Sequence, residues 1–382
     1  MLGFICGLAL IAQAEGSVVQ KELPNGAKFR IEATPGTGTL MVALYASEAG
    51  LPNDGGVPGT RHLLEHLIAK GGDRLLDTKL ESVGLSLTAF TERDGTAFVV
   101  MGSSRQSVLA IESLRDLLEP LRVDGGELEV ELKILEQESA LRADYEPFLD
   151  RAWLELFEPG VGSVFGDLKG MAQLTPDQLM GGAEALMNSG GLTVYVRGDV
   201  DADVTALRLT EVLNSATRGQ VNFAPREVLE SIGRKETVAG KGRARAVVAA
   251  GLDRPMTLAR LGVALAIMRL EPGFEVVYEP SFDRGPVLLY SRSGEGFGAL
   301  EKYDQAGLSR FAALARLQAL RLVNGWKLEG PRFGVLRAKK LRQAAAFNLD
   351  QLESTARGLT DDEIWSALQD WRGGAMHLEG TR

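Results

Sequence analysis

Histidine and cysteine are the scarcest chemistry-bearing residues of this 382-residue chain, with three histidines and one cysteine. The single cysteine, Cys6, excludes an internal disulfide. Long apolar runs are also missing. The most apolar stretch, residues 1–14, falls short of the ~20 residues that span a bilayer, so no segment reads as a transmembrane helix. Basic charge is outweighed, with 42 Lys and Arg against 51 Asp and Glu and a net charge of −9. A chain so charged has no basic footprint for nucleic acid. What remains, 45% hydrophobic and 24% charged residues, is ordinary for a folded globular protein. Its length exceeds the usual single domain and predicts two.

Two of the three histidines stand together in His62-Leu63-Leu64-Glu65-His66. On a helix, His62 and His66 lie one turn apart on one face, where two neutral imidazoles can hold a metal ion from one side. Glu65, three residues after His62, falls next to that face, within reach of a water on the metal. The pattern H-x-x-E-H inverts the zinc-peptidase motif H-E-x-x-H. Catalytic zinc usually takes three protein ligands and leaves its fourth position to water, so a third ligand must come from elsewhere in the chain.

A breaker-free helix predicted over Leu128–Ala143 supplies a candidate. Glu131, Ile134, Leu135 and Glu138 fall at i, i+3, i+4 and i+7 and share a stripe. Carboxylates beside large aliphatics need a partner, because desolvating an unpaired charge is costly. A divalent cation is such a partner for Glu138, and Glu131, two turns earlier, is placed to orient a ligand. A solvated acidic face is the alternative for this helix taken alone.

Alternation predicts strands at Lys28–Glu32, Leu40–Tyr45, Ala97–Met101 and Leu192–Val196. Helical spacing predicts helices at Arg61–Lys70, Ser107–Leu118 and Thr175–Met187. The combination points to layered α/β or α+β domains rather than a bundle. A faint repeat closes each half of the chain. Leu174-Thr175-Pro176-Asp177-Gln178 opens a helix that runs to Gly190-Gly191 and a strand, and Leu359-Thr360-Asp361-Asp362-Glu363 does the same before Gly373-Gly374. Both openings are capping boxes. The polar stretch 215–241 reads as a linker between the halves. The second half lacks an H-x-x-E-H, and His377 stands alone there.

These motifs together resemble the pitrilysin/insulinase/mitochondrial processing peptidase family of zinc metallopeptidases, the inverzincins. Leu23-Pro24-Asn25-Gly26 resembles the family's opening, and Pro58 to His66 its zinc helix. Gly84 to Thr91 followed by Asp94-Gly95-Thr96 resembles its substrate-binding strand and turn. Glu131 and Glu138 match its paired glutamates, and Val194 to Asp199 the end of its first domain. The likeness covers most of residues 20–215 and weakens after 240.

The resemblance implies an α+β fold of two tandem, similar α/β sandwich domains in a clamshell, each an antiparallel-rich sheet with helices on one face. A zinc-binding peptidase domain at 18–214 would be followed by the linker at 215–241 and a peptidase-like domain at 242–382. One Zn²⁺ per chain would be held by His62, His66 and Glu138, with Glu131 behind them. Glu65 would be the general base for a zinc-activated water, in an endopeptidase acting on short or unfolded polypeptides. Thr88, Ala89, Arg269 and Tyr278 would bind substrate. The alternatives are a zinc-bearing subunit that needs a homologous, zinc-less partner or a second copy, and a non-catalytic scaffold.

Three positions depart from the family pattern. Arg61 replaces a small residue and lies one turn from Glu65, close enough to pair with it. Thr88 replaces an asparagine and offers a hydroxyl in place of an amide. Val276 occupies the place of the tyrosine expected seven residues after Arg269, while Tyr278 lies two residues on, on the same side of a strand.

Residues 1–14 end in Ala12-Gln13-Ala14, an A-x-A cleavage pattern after a short apolar run, although no Lys or Arg precedes it. The reading is a signal peptide and a periplasmic or secreted protein, with a cytoplasmic home as the alternative.

Overall fold

The computed structural model describes residues 16–381 except 48–55, 124, 159, 220, 222–225, 280–283, 305–306, 329 and 343–348. The expected signal segment, 1–14, lies outside the described residues.

The first half contains, in chain order, β1 (Val18–Glu22), β2 (Lys28–Ala33), β3 (Thr39–Ser47), α1 (Thr60–Ala69), α2 (Leu76–Ser82), β4 (Leu85–Glu92), β5 (Gly95–Ser103), α3 (Ser107–Leu118), α4 (Gly125–Arg142), α5 (Glu146–Leu156), the short β6 (Phe157–Glu158), α6 (Leu168–Met171), α7 (Pro176–Leu186), β7 (Leu192–Gly198) and α8 (Ala202–Asn214). The second contains β8 (Glu227–Val228), β9 (Lys235–Ala239), β10 (Arg243–Ala249), α9 (Pro255–Leu270), β11 (Phe274–Tyr278), β12 (Gly285–Ser291), α10 (Leu308–Leu328), α11 (Gly330–Arg342), α12 (Leu352–Gly358), α13 (Asp361–Gln369) and β13 (Met376–Thr381).

The two large sheets repeat one topology, and β6 pairs with β8 in a separate two-stranded sheet. The first runs β1-β2-β7-β3-β5-β4 and the second β11-β12-β10-β13-β9. Reading the second backwards, β9-β13-β10-β12-β11 matches β2-β7-β3-β5-β4 strand for strand. In each sheet one pair is parallel, β2 with β7 and β9 with β13, and the other neighbours are antiparallel. The fold is α+β, with two similar sheet-and-helix halves as the sequence implies. The capping boxes form at both expected places, Thr175 with Gln178 and Thr360 with Glu363, each starting the helix that leads into the parallel strand of its sheet. The second sheet begins within the stretch read as a linker, because Lys235–Ala239 pairs with β13.

Helices of each half's own chain cover one face of its sheet. In the first half, Phe29, Ile31, Val42, Leu44, Phe98 and Val100 meet Leu63, Leu67, Ile111 and Leu114 in one core. The opposite face is covered by a helix from the other half. α11 lays Phe333, Val335 and Ala338 on Met41, Ala43, Tyr45, Val99 and Tyr195 of the first sheet. Reciprocally, α5 lays Phe148, Leu149, Ala152 and Trp153 on Ala244, Ala246, Leu288 and Tyr290 of the second. The expectation of helices on one face thus holds for each half by itself, and the chain buries the remaining faces by exchange. Among the described residues no helix is long and apolar enough to cross a membrane.

Candidate metal centre

α1 begins where Gly59, at φ 91°, turns the chain in a left-handed conformation that L side chains rarely adopt. A Cβ there would lie 2.7 Å from the carbonyl oxygen of Phe165. The glycine thus sets the start of the helix against the 165 segment. His62, Glu65 and His66 follow on the inward side of α1, with Leu63, Leu64 and Leu67 packed into the first core.

α4 crosses α1 with Glu131, Leu135 and Glu138 turned towards it. Leu135 is buried, whereas Ile134, placed on the same stripe by the sequence, is exposed. At about 100° per residue, Glu131, Leu135 and Glu138 span about 60°, and Ile134 falls about 40° outside that arc, on the side where solvent begins. The rest of the expected helix face is present.

The histidine nitrogens and the Glu138 carboxylate converge. His62 Nε2 lies 3.3 Å and His66 Nε2 3.8 Å from Glu138 Oε2, and Glu65 Oε2 lies 3.8 Å from His62 Nε2. His62, Glu65 and His66 each offer one ligand atom within 4.8 Å of the others. The imidazoles stand edge to face, with centroids 4.9 Å apart. Donor atoms around a tetrahedral zinc bonded at 2.0–2.2 Å sit roughly 3.3–3.6 Å from one another; the His62–Glu138 separation falls in that range, the His66–Glu138 separation is a few tenths of an ångström longer, and the three are the residues that could hold one small divalent ion. A second feature supports the fit. His66 Nδ1 is 3.0 Å from Glu131 Oε2, which turns Nε2 towards the centre, as carboxylates behind metal-bound histidines do. Lys70 holds the other Glu131 oxygen. The Phe165 ring packs edge-on against His62 at 5.0 Å.

Burial pushes the Glu65 carboxyl above its usual range against the pull of His62 and His66. Glu138 is lowered, first by its hydrogen bond with His62. Glu131 is also lowered: burial opposes this, but the hydrogen bonds from His66 and Lys70 outweigh it. Burial likewise opposes charging His66, yet Glu131 and the neighbouring carboxylates raise its pKa.

β4 borders the site as an edge strand, paired on one side with β5. Strand alternation sorts its side chains. Leu87 and Ala89 pack towards the helices of the first half. Thr91, next on that face, donates to Glu65 Oε2 at 2.8 Å. Thr88 pairs with Val99, whose side chain lies in the cluster beneath α11, so Thr88 faces away from the histidines. The resemblance includes Thr91 in its substrate-binding strand but gives it no role. The two-residue period counted from Ala89 would have placed it beside α1.

Arg61, expected near Glu65, donates to the Glu92 carbonyl at 3.1 Å. Tyr278 lies at the end of β11, and its hydroxyl is pushed up by burial and by the charges of Asp94 and Glu92 at the far end of β4. Val276 and Tyr278 pack against the same core, as their spacing predicts. Arg269 stands exposed in the last turn of α9 and makes no hydrogen bond or ion pair among the described residues. The structure brings Tyr278, but not Arg269, to the end of the strand that borders the histidine pair.

Residues 32–152 match the family model described as Insulinase (Peptidase family M16). Over this stretch, about a third of its length, the chain is similar to that family. A mitochondrial-processing peptidase subunit beta of Saccharomyces cerevisiae is 27% identical over 132 residues, 34% of this chain and 28% of that protein. An uncharacterized zinc protease of Mycobacterium leprae is 24% identical over 225 residues, 56% of this chain and 51% of that protein. The matched segments thus span about half or less of these curated relatives.

Among solved structures, a protease from Helicobacter pylori superposes with a TM-score of 0.76 at 14% identity, covering 95% of this chain and 100% of that one. A peptidase M16 inactive domain from Pseudomonas fluorescens gives 0.71 at 15%, covering 96% and 98%. The periplasmic protease PqqL from Escherichia coli gives 0.67 at 15%, covering 97% of this chain and 48% of that one. The structural likenesses show the fold, and the family match supports a peptidase.

Proposed function

We propose that this chain, similar to the insulinase family over residues 32–152, is a zinc-dependent endopeptidase acting on short or unfolded polypeptides. The convergence of His62, His66 and Glu138 within 3.3–3.8 Å, with Glu65 alongside, carries the reading. When bound, zinc supplies Lewis acidity towards a carbonyl and lowers the pKa of water to about 7. Glu65 takes the proton of the attacking water and returns it to the leaving amine. The Thr91 hydroxyl holds one carboxylate oxygen. The edge of β4 that is unpaired among the described residues, around Thr88 and Ala89, offers backbone groups to which an extended peptide adds as a further strand. This favours unfolded chains, because folded ones have no free strand to give.

A second reading rests on Arg269, which stands exposed in the last turn of α9 and makes no polar contact among the described residues; this suits a site completed by a zinc-less homologue or by a second copy. The periplasmic description of the Escherichia coli protease and the signal-like residues 1–14 support a periplasmic location. A scaffold without catalysis is disfavoured, because the ligands and the base are all present.

The test is metal analysis combined with digestion of an unstructured peptide library. About one zinc per chain, with cleavage abolished by a chelator and by Glu65→Gln while that variant keeps its zinc, is expected. Zinc-free protein that cleaves equally well would overturn the reading.

A further inference from the structure

Four consecutive residues at the end of β4 join the base to the second half of the molecule. Alternation aims Thr91 at α1 and Glu92 at the opposite face. There Glu92 meets Lys339, which α11 carries across from the second half. Lys339 also donates to Asp94 Oδ1 at 2.8 Å, lies over the Tyr45 ring at 5.2 Å, and is 1% exposed. Tyr45 donates to the Asp94 carbonyl at 2.8 Å, which fixes the turn from beneath. Arg61, beside His62 on α1, reaches the Glu92 carbonyl. Arg93, also 1% exposed in its side chain, is shared by Glu146 and Asp150 of α5 and by Glu279, just after β11. The turn is thus gripped by groups from α1, α5, α11 and the end of β11. Thr91, at its start, touches Glu65.

We propose that Lys339 is a positioning residue for Glu65: by fixing Glu92 and Asp94 it holds the Thr91 hydroxyl on the base. The inference rests on the peptidase reading for its catalytic consequence, but the positioning itself is a matter of geometry. It gives the second half, which has no histidine pair, a part in the first half's site. A lysine buried among two carboxylates and an aromatic ring would otherwise only tie the halves together. The difference is that a tie affects stability alone, whereas a positioning residue affects turnover through Thr91.

The experiment is a double-variant cycle of Lys339→Met and Thr91→Val in the full chain, read by zinc content, kcat, KM and crystal structures. Loss of one hydrogen bond to the base corresponds to about a tenfold fall in kcat. Each single variant is expected to lose kcat on that scale, with zinc unchanged and KM within about twofold. The double variant is expected to be no worse than Thr91→Val alone, because both changes cut the same link. Effects that multiply would overturn the proposal, as would a Lys339→Met structure in which Thr91 Oγ1 stays 2.8 Å from Glu65.

Removing one partner of a buried ion pair is strongly destabilising. If Lys339→Met does not fold, Glu92→Gln, which keeps the shape and removes one charge, is read by the same criteria. If the wild-type chain cleaves no peptide, the peptidase reading falls. The Thr91–Glu65 contact in the variant structures still decides the positioning: loss of the contact supports it, and retention overturns it.

Discussion

Glu131 Oε2 lies 3.0 Å from His66 Nδ1, and Lys70 holds the same carboxylate. On the proposed reading, the pair gives two glutamates seven residues apart different roles. Glu138 faces both imidazoles, while Glu131 sits behind one of them and sets its tautomer. An amide at 131 can still accept from Nδ1 but carries no charge. Glu131→Gln is therefore expected to keep the site and to weaken zinc binding by about 10–100-fold, measured by competition with a chelator of known affinity. Unchanged affinity would reduce Glu131 to a partner of Lys70.

Glu138→Gln is expected to lose zinc outright under dialysis that leaves the parent loaded, because three protein ligands are the minimum for a stable catalytic site. Glu136, exposed on the far side of α4, is the control. Glu136→Gln should retain its zinc. Equal retention by the two variants would take Glu138 out of the site.

How much of this was legible in the sequence depends on which neighbours each inference needed. His62, Glu65 and His66 share one helix turn, so spacing alone places them together. Glu131 and Glu138 share another helix, and their facing followed from periodicity, with Ile134 misplaced because a seven-residue stripe is wider than the contact it serves. The duplicated topology showed only in its cap signals, since Thr175 and Thr360 start the helices that feed β7 and β13. The exchange of α5 and α11 was not legible. An amphipathic helix records that one face is buried, not which half of the chain buries it. The links from Lys339 to Glu92 and Asp94 span 247 and 245 residues, beyond the reach of any local pattern.

That exchange makes a thermodynamic prediction. Without α11 the first sheet would expose Tyr45, Val99 and Tyr195, and without α5 the second would expose Leu288 and Tyr290. Neither half is closed alone, so the chain should unfold in one cooperative transition, with circular dichroism and tryptophan fluorescence giving the same midpoint. Trp153→Ala, in the α5 contact, should cost about 3–5 kcal/mol and lower that single transition as a whole. Two separated transitions would show that the halves stand independently.

The remaining question is whether one chain suffices. Tyr278 reaches the end of β4, where Asp94 and Glu92 lie close to it. Arg269 is solvent-exposed at the end of α9 and engages no described neighbour. If Tyr278 serves the site, as the resemblance implies, a chain without the arginine has one such donor towards a developing oxyanion. Loss of such a donor costs about 10²–10³ in rate, so a lone chain missing the arginine should be slow rather than dead. The prediction is that the purified chain cleaves unstructured peptides weakly, and that Arg269→Ala changes its rate by less than about twofold, the effect of a surface substitution. A co-purifying homologue or raised protein concentration should increase the specific rate. Strong cleavage at all concentrations, lost in both Arg269→Ala and Tyr278→Phe, would mean that a rearrangement of α9 and β11 brings both residues to the substrate within one chain. Weak cleavage that is indifferent to both variants and rises with concentration would assign the missing donors to a second subunit.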